Sequence, residues 1–238
     1  MRRAAQPVRE SPPGPRSPRG RQARAVYRRL LAHYGPPERE PLDPVSELVC
    51  TILSQNTSDL NRDRAFAQLR ARFRDWDAVR TAPLDALREA IRPAGLAAIK
   101  APRIQQALEA VRARAGTLDL DFLRALPLEE ARAWLTGLSG VGPKTAAIIL
   151  LFSLDRPAFP VDTHVHRVSG RLGLIGPRVS AEQAHTLLEA LIPPERYLAY
   201  HLLLITHGRQ ICQARRPKCE VCPLSDLCDY ARGASEAR

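Results

Sequence analysis

The chain has 238 residues, 36 of them Lys or Arg against 25 Asp or Glu, for a formal net charge of +11. That length supports one large domain or two small ones, each with a real core. No apolar run approaches the ~20 residues that cross a bilayer, so a soluble, intracellular protein is expected, and a basic surplus is compatible with phosphate-bearing partners.

Residues 1–24 hold seven arginines, five prolines and one acid, Glu10, with no apolar run. Such a segment cannot offset its ordering entropy and is expected to be a disordered Arg/Pro-rich tail. It lacks the apolar stretch of a secretory signal.

Beyond it, nearly every segment reads as helix. In "PVSELVCTILSQ", Val45, Leu48, Val49, Ile52 and Leu53 recur at spacings of three and four and mark a buried face, with Cys50 a small residue in or near the core. "RDRAFAQLRARF" places Phe66, Leu69 and Phe73 on a stripe with arginines opposite. "PLDALREAI", "APRIQQALEAVRARAG" and "PLEEARAWLTGL" repeat the pattern, bounded by proline or glycine. Only "TLDLDFL", from Thr117 to Leu123, hints at strand-like alternation. With no sheet and mostly short connections, an all-α protein follows.

"WLTGLSGVGPKTAAIILLF" reads as helix, tight turn, helix. Gly140 and Gly142 would permit backbone angles that a side chain forbids, and Pro143 suits the first helical position. The apolar run from Ala146 to Phe152 implies a buried helix whose free N–H groups face outward, an arrangement that binds phosphate. Of the 36 basic residues only Lys100, Lys144 and Lys218 are lysines, and Lys144 stands in the first turn of this helix. The positive end of the helix dipole disfavours an ammonium there. A neutral lysine amine attacks carbon electrophiles and forms a Schiff base, which arginine cannot do. The plainer alternative is a lysine that touches phosphate as a point charge.

In "RPAFPVDTHVHRVSGRLGL", Pro157 and Pro160 break the chain and Asp162 opens a helix as its N-cap. His164 and His166 are two residues apart and point away from each other on a helix, so they make no metal site. Near the C-terminus, Cys212, Cys219, Cys222 and Cys228 follow the spacing C-x6-C-x2-C-x5-C. Four thiolates this close suit either zinc or a [4Fe–4S] cluster. The loop "CQARRPKC" would hold Arg215, Arg216 and Lys218 on a metal-fixed frame, a good phosphate clamp.

The hairpin L-S-G-V-G-P-K-T-A, the stretch V-D-T-H and the four cysteines, in that order, resemble the endonuclease III family of the helix–hairpin–helix DNA glycosylase superfamily, over roughly Val26 to Tyr230. The resemblance implies a two-domain all-α fold. A central helical domain would span 37–156, and an iron–sulfur domain would be built from 25–36 and 157–238. It implies Lys144 as nucleophile, Asp162 as its acidic partner, and the four cysteines as ligands of a [4Fe–4S] cluster. Gln55, Asn56, Leu96, Gly140, Val141, Gly142, Thr145, Arg215, Arg216 and Lys218 would contact DNA. Asn56 stands where the family commonly has the gap-filling Gln, and Leu96 matches its apolar wedge; such side chains offset lost stacking when a base is extruded. Thr136 stands where an acid is often found, and the longer segment around "TLDLDFLRALPLEEA" resembles an archaeal-like branch that includes thymine–guanine mismatch glycosylases.

The activity implied is removal of oxidised pyrimidines from double-stranded DNA, followed by lyase cleavage at the abasic site. The protein would act as a cytoplasmic, nucleoid-associated monomer away from membranes. The alternatives are a monofunctional glycosylase that uses water, and a non-catalytic DNA-binding protein.

Overall fold

The computed structural model describes residues 14–236, and among them every regular element is helical. The first helix, α1 (Pro18–Tyr34), corrects the expectation of a disordered tail for its inner end, while residues 1–13 lie outside the described part. The Ser17 hydroxyl accepts the Gly20 N–H at 3.0 Å, and Pro18 sits where its missing N–H costs nothing. Small residues then carry the inward face: Gly20 and Ala23 are buried along with Val26 and Leu30. The segment is also anchored from outside. Gln22 Nε2 donates to the carbonyls of Leu172 and Leu227 at 2.7 and 2.8 Å, and the Tyr200 hydroxyl donates to Ala23 O at 3.1 Å. Composition could not reveal partners that lie 150 to 205 residues away.

The described chain divides into two compact units, one of residues 38–160, the other of the N-terminal part up to Pro37 joined with Val161 onward. The 38–160 unit contains α2 (Pro44–Ser54), α3 (Asp59–Arg72), α4 (Trp76–Thr81), α5 (Leu84–Ala90), α6 (Ala97–Ala115), α7 (Phe122–Ala125), α8 (Leu128–Thr136) and α9 (Pro143–Ser153). Side-chain caps start several of them: Asp43 accepts from Ser46 N, Ser58 from Asn61 N and Asp75 from Ala78 N. α2 packs against both α6 and α9, and Leu48, Ile52, Ile104, Leu108, Ile149 and Leu150 are wholly buried there. Truncating one of these to alanine would cost about 2–5 kcal/mol, a large share of a typical domain's stability. Cys50 is half-buried, and burial pushes its thiol up to about 11, as suits a packing residue. The strand-like hint at Thr117–Leu123 resolves into a turn entering α7, with Leu120 and Leu123 buried three residues apart.

The other unit pairs α1 with α10 (Thr163–Arg171), α11 (Ala181–Leu191), α12 (Tyr197–Gln210) and α13 (Asp229–Glu236). α12 is central, packing on α10 and α1. Ser180 and Gln183 form a reciprocal capping box that starts α11.

Candidate active site and nucleic-acid interface

Within the 38–160 unit, α8 and α9 are joined by a turn in which the Val141 N–H donates to Leu138 O at 3.0 Å. Gly140 has φ 81°, so its conformation favours glycine, and a Cβ placed on it would lie 2.7 Å from Arg103 Cδ, a side chain that would have to shift. Gly142 departs from expectation. Its backbone is extended (φ −93°, ψ 178°) and a Cβ there would meet nothing, so no conformational need for glycine exists at 142. Its position matters instead, as an N-cap residue with no side chain to cap the helix. The first intrahelical bond of α9 runs from Ala146 N to Gly142 O, so the N–H groups of Lys144 and Thr145 precede the ladder. The Lys144 side chain is half-buried, whereas Val141 and Thr145 turn inward at 4% and 5% exposure.

Two loops of the same unit carry the expected gap-filling and wedge residues. Asn56 is exposed with φ 51°, and Leu96 is 50% exposed with φ 50°. Gln55 is turned inward: its Nε2 donates to Gly140 O at 2.7 Å, tying the Asn56 loop to the hairpin. Sequence reasoning missed two residues here. Lys100 is buried and donates to Leu53 O and Ala94 O, and Arg103 packs over Gly140. The rarity of lysine in this chain was the available signal for the first.

In the other unit, Asp162 caps α10 as expected, its Oδ1 accepting the Val165 N–H at 2.7 Å. His164 and His166 do go separate ways: His164 Nδ1 lies 3.0 Å from Arg167 Nη2, and His166 Nε2 lies 2.8 Å from Val179 O.

Cys212, Cys219, Cys222 and Cys228 line one pocket, walled by Val168, Leu172, Ile211 and Leu224. Yet among the described residues no three Cys, His, Asp or Glu side chains come close enough to hold a single ion. Four cysteine thiols on one apolar-walled pocket are the donor set that a [4Fe–4S] cluster or a zinc ion takes. Burial pushes the Cys222 thiol up to about 11 and Cys228 in the same direction, so ligation there must displace protons. Polar groups reach the sulfurs as well. Arg171 Nη1 donates to Cys212 Sγ at 3.3 Å, and His207 Nε2 lies 3.5 Å from Cys222 Sγ while its Nδ1 pairs with the Tyr34 hydroxyl at 3.0 Å. Arg171 also donates to the carbonyls of Gln213 and Ala214, pinning the loop on which Arg215, Arg216 and Lys218 stand exposed. Among the described residues no helix is long and apolar enough to cross a membrane.

Comparison with known proteins agrees with this geometry. Residues 49–194 match the model of the HhH-GPD superfamily of base excision DNA repair proteins, and residues 212–228, the span of the four cysteines, match the iron–sulfur binding domain of endonuclease III. A candidate DNA glycosylase of Arabidopsis thaliana is 38% identical over 81% of this chain and 69% of its own length. Endonuclease III of Sulfolobus acidocaldarius is 34% identical over 77% of this chain and 80% of its own. A solved structure of a trapped endonuclease III–DNA covalent intermediate superposes with a TM-score of 0.78 at 29% identity, covering 90% of this chain and 98% of that one.

Proposed function

The chain belongs to the endonuclease III family of the HhH-GPD superfamily and is a DNA glycosylase of base excision repair with an iron–sulfur domain, and from that premise we propose that it is bifunctional, excising oxidised pyrimidines and then cleaving the abasic strand. The observation that carries this reading is an amine at Lys144, half-buried in the opening turn of an uncapped helix, in a chain that otherwise uses arginine for nearly all its positive charge.

The uncapped N-terminus of α9, through the N–H groups of Lys144 and Thr145, receives a backbone phosphate and sets the register of the duplex. Asn56 and Leu96 enter the space left by the extruded nucleotide. Lys144 Nζ forms a bond to C1′ of that nucleotide, and the bond from C1′ to the base breaks with its electron pair leaving on the base, which takes up a proton. Asp162 accepts the proton shed by the amine, or balances positive charge developing on the sugar. The C1′–O4′ bond then breaks with its electron pair on O4′, which takes up a proton, and the opened sugar is left with a protonated imine between Lys144 and C1′. The imine acidifies C2′, a C2′ proton departs, and the C3′–O bond breaks with its electrons on the phosphate oxygen, severing the strand on the 3′ side. Arginine at 144 supports none of these bond changes.

Cys212, Cys219, Cys222 and Cys228 are the ligands in this reading. They would hold a [4Fe–4S] cluster, whose binding would cross-link the 212–228 loop and so order Arg215, Arg216 and Lys218 for phosphate contact.

Borohydride trapping on a duplex with one oxidised pyrimidine tests the proposal. A covalent band with wild type that is absent with Lys144→Ala supports it. Base release without a band would make water the nucleophile and the enzyme monofunctional.

A further inference from the structure

Lys100 is 1% exposed, an unusual place for a side chain that ordinarily keeps its ammonium in water. Its Nζ donates to Leu53 O at 2.7 Å and to Ala94 O at 2.8 Å. Leu53 belongs to the last turn of α2, and Ala94 ends the short 3-10 helix Arg92–Ala94. Carbonyls at helix C-termini lack intrahelical donors and carry the negative end of the dipole, so an ammonium suits both. Each carbonyl lies just upstream of an exposed residue in left-handed backbone, Asn56 in one loop and Leu96 in the other. Only one other described non-glycine residue, Asp155, has positive φ. Such conformations cost about 1–3 kcal/mol each and persist only where the surroundings hold them.

Resting on the glycosylase reading, we propose that Lys100 is a positioning residue for base extrusion: one buried ammonium bridges the roots of the Asn56 loop and the Leu96 loop and fixes their spacing. Its stem issues from the first turns of α6, so the reference point for both loops is a rigid helix. Gln55 extends the same frame to the hairpin through Gly140 O. A point-like ammonium with three donors can serve two carbonyls in a sealed space; a planar guanidinium is larger and its fork has fixed directions. Lys144 and Lys100 would thus be lysines for different reasons, one for bond making and one for reach and size.

The test uses the full-length protein and two variants, Lys100→Met, which keeps an unbranched apolar stem, and Lys100→Gln, which retains a donor if the first folds poorly. Single-turnover base excision is compared with strand cleavage at a preformed abasic site, whose nucleotide costs less to extrude. The expected result is a loss of about tenfold or more in base excision with abasic cleavage within about threefold. Amide hydrogen exchange is read on the same proteins: residues 54–58 and 95–99 should exchange faster together, with 138–146 unchanged. Unchanged excision, or an equal loss in both reactions with exchange raised throughout the unit, would overturn the proposal. Should wild type lack the proposed activities, the exchange pattern still decides whether Lys100 couples the two loops, so the two failures are distinguishable.

Discussion

Asp162 Oδ1 accepts the Val165 N–H at 2.7 Å, so one carboxylate oxygen starts α10, and the proposed chemistry would fall to the carboxylate's charge. The two roles separate by substitution. Asn caps a helix about as well as Asp, so Asp162→Asn should change stability by less than about 0.5 kcal/mol, while Asp162→Ala should cost about 1 kcal/mol. Both variants should lose about 100-fold or more in single-turnover excision, because both lose the negative charge. Urea melts beside the rates check this, and full activity in Asp162→Asn would leave Asp162 as a cap alone.

The two hairpin glycines should respond differently. Gly140→Ala meets a positive φ and Arg103 Cδ at 2.7 Å, so it should lose about 1–3 kcal/mol along with duplex affinity. Gly142→Ala faces open space in extended backbone and should cost only the N-cap preference for glycine over alanine, about 1 kcal/mol or less. Thermal melts of the two variants suffice to compare them.

Arg215, Arg216 and Lys218 are exposed on a loop pinned by Arg171, as a phosphate clamp requires. Arg215→Ala or Lys218→Ala should weaken binding to damaged and intact duplex alike and reduce the salt slope by about 1 each. A loss confined to one sequence or lesion, measured by salt titration of affinity, would contradict a phosphate role.

Glu47 is 3% exposed beside Arg39, and burial raises its carboxyl above the ordinary carboxylate range although the 2.6 Å pair with Arg39 opposes this. Between the unfolded and the raised folded value the native state holds more protons, so this residue's contribution to stability falls as pH rises through that window. Melting temperatures of wild type and Glu47→Gln across the mildly acidic range should therefore diverge in slope, the variant lacking this decline.

Lys144 in an uncapped helical turn, the Asp162 cap and the four cysteines were all legible as text, because each rests on contacts within a few residues: a turn, an N-cap reaching three residues on, a ligand run of 17. The helical character of the chain was legible for the same reason, since apolar spacing along a helix is local. Tertiary structure alone decided the rest. α1 forms in a segment whose composition argued for disorder because Gln22 and Ala23 bond to groups 150 to 205 residues distant. Gln55 donates to Gly140 O, 85 residues on, while Asn56 beside it stays exposed. Lys100 is marked in the sequence only by the scarcity of lysine, and its partner is decided when Leu53, 47 residues earlier, presents its carbonyl. Periodicity and spacing encode what a residue offers its near neighbours, whereas the partner of a buried polar group is chosen by folding, which must satisfy each such group wherever in the chain its complement lies.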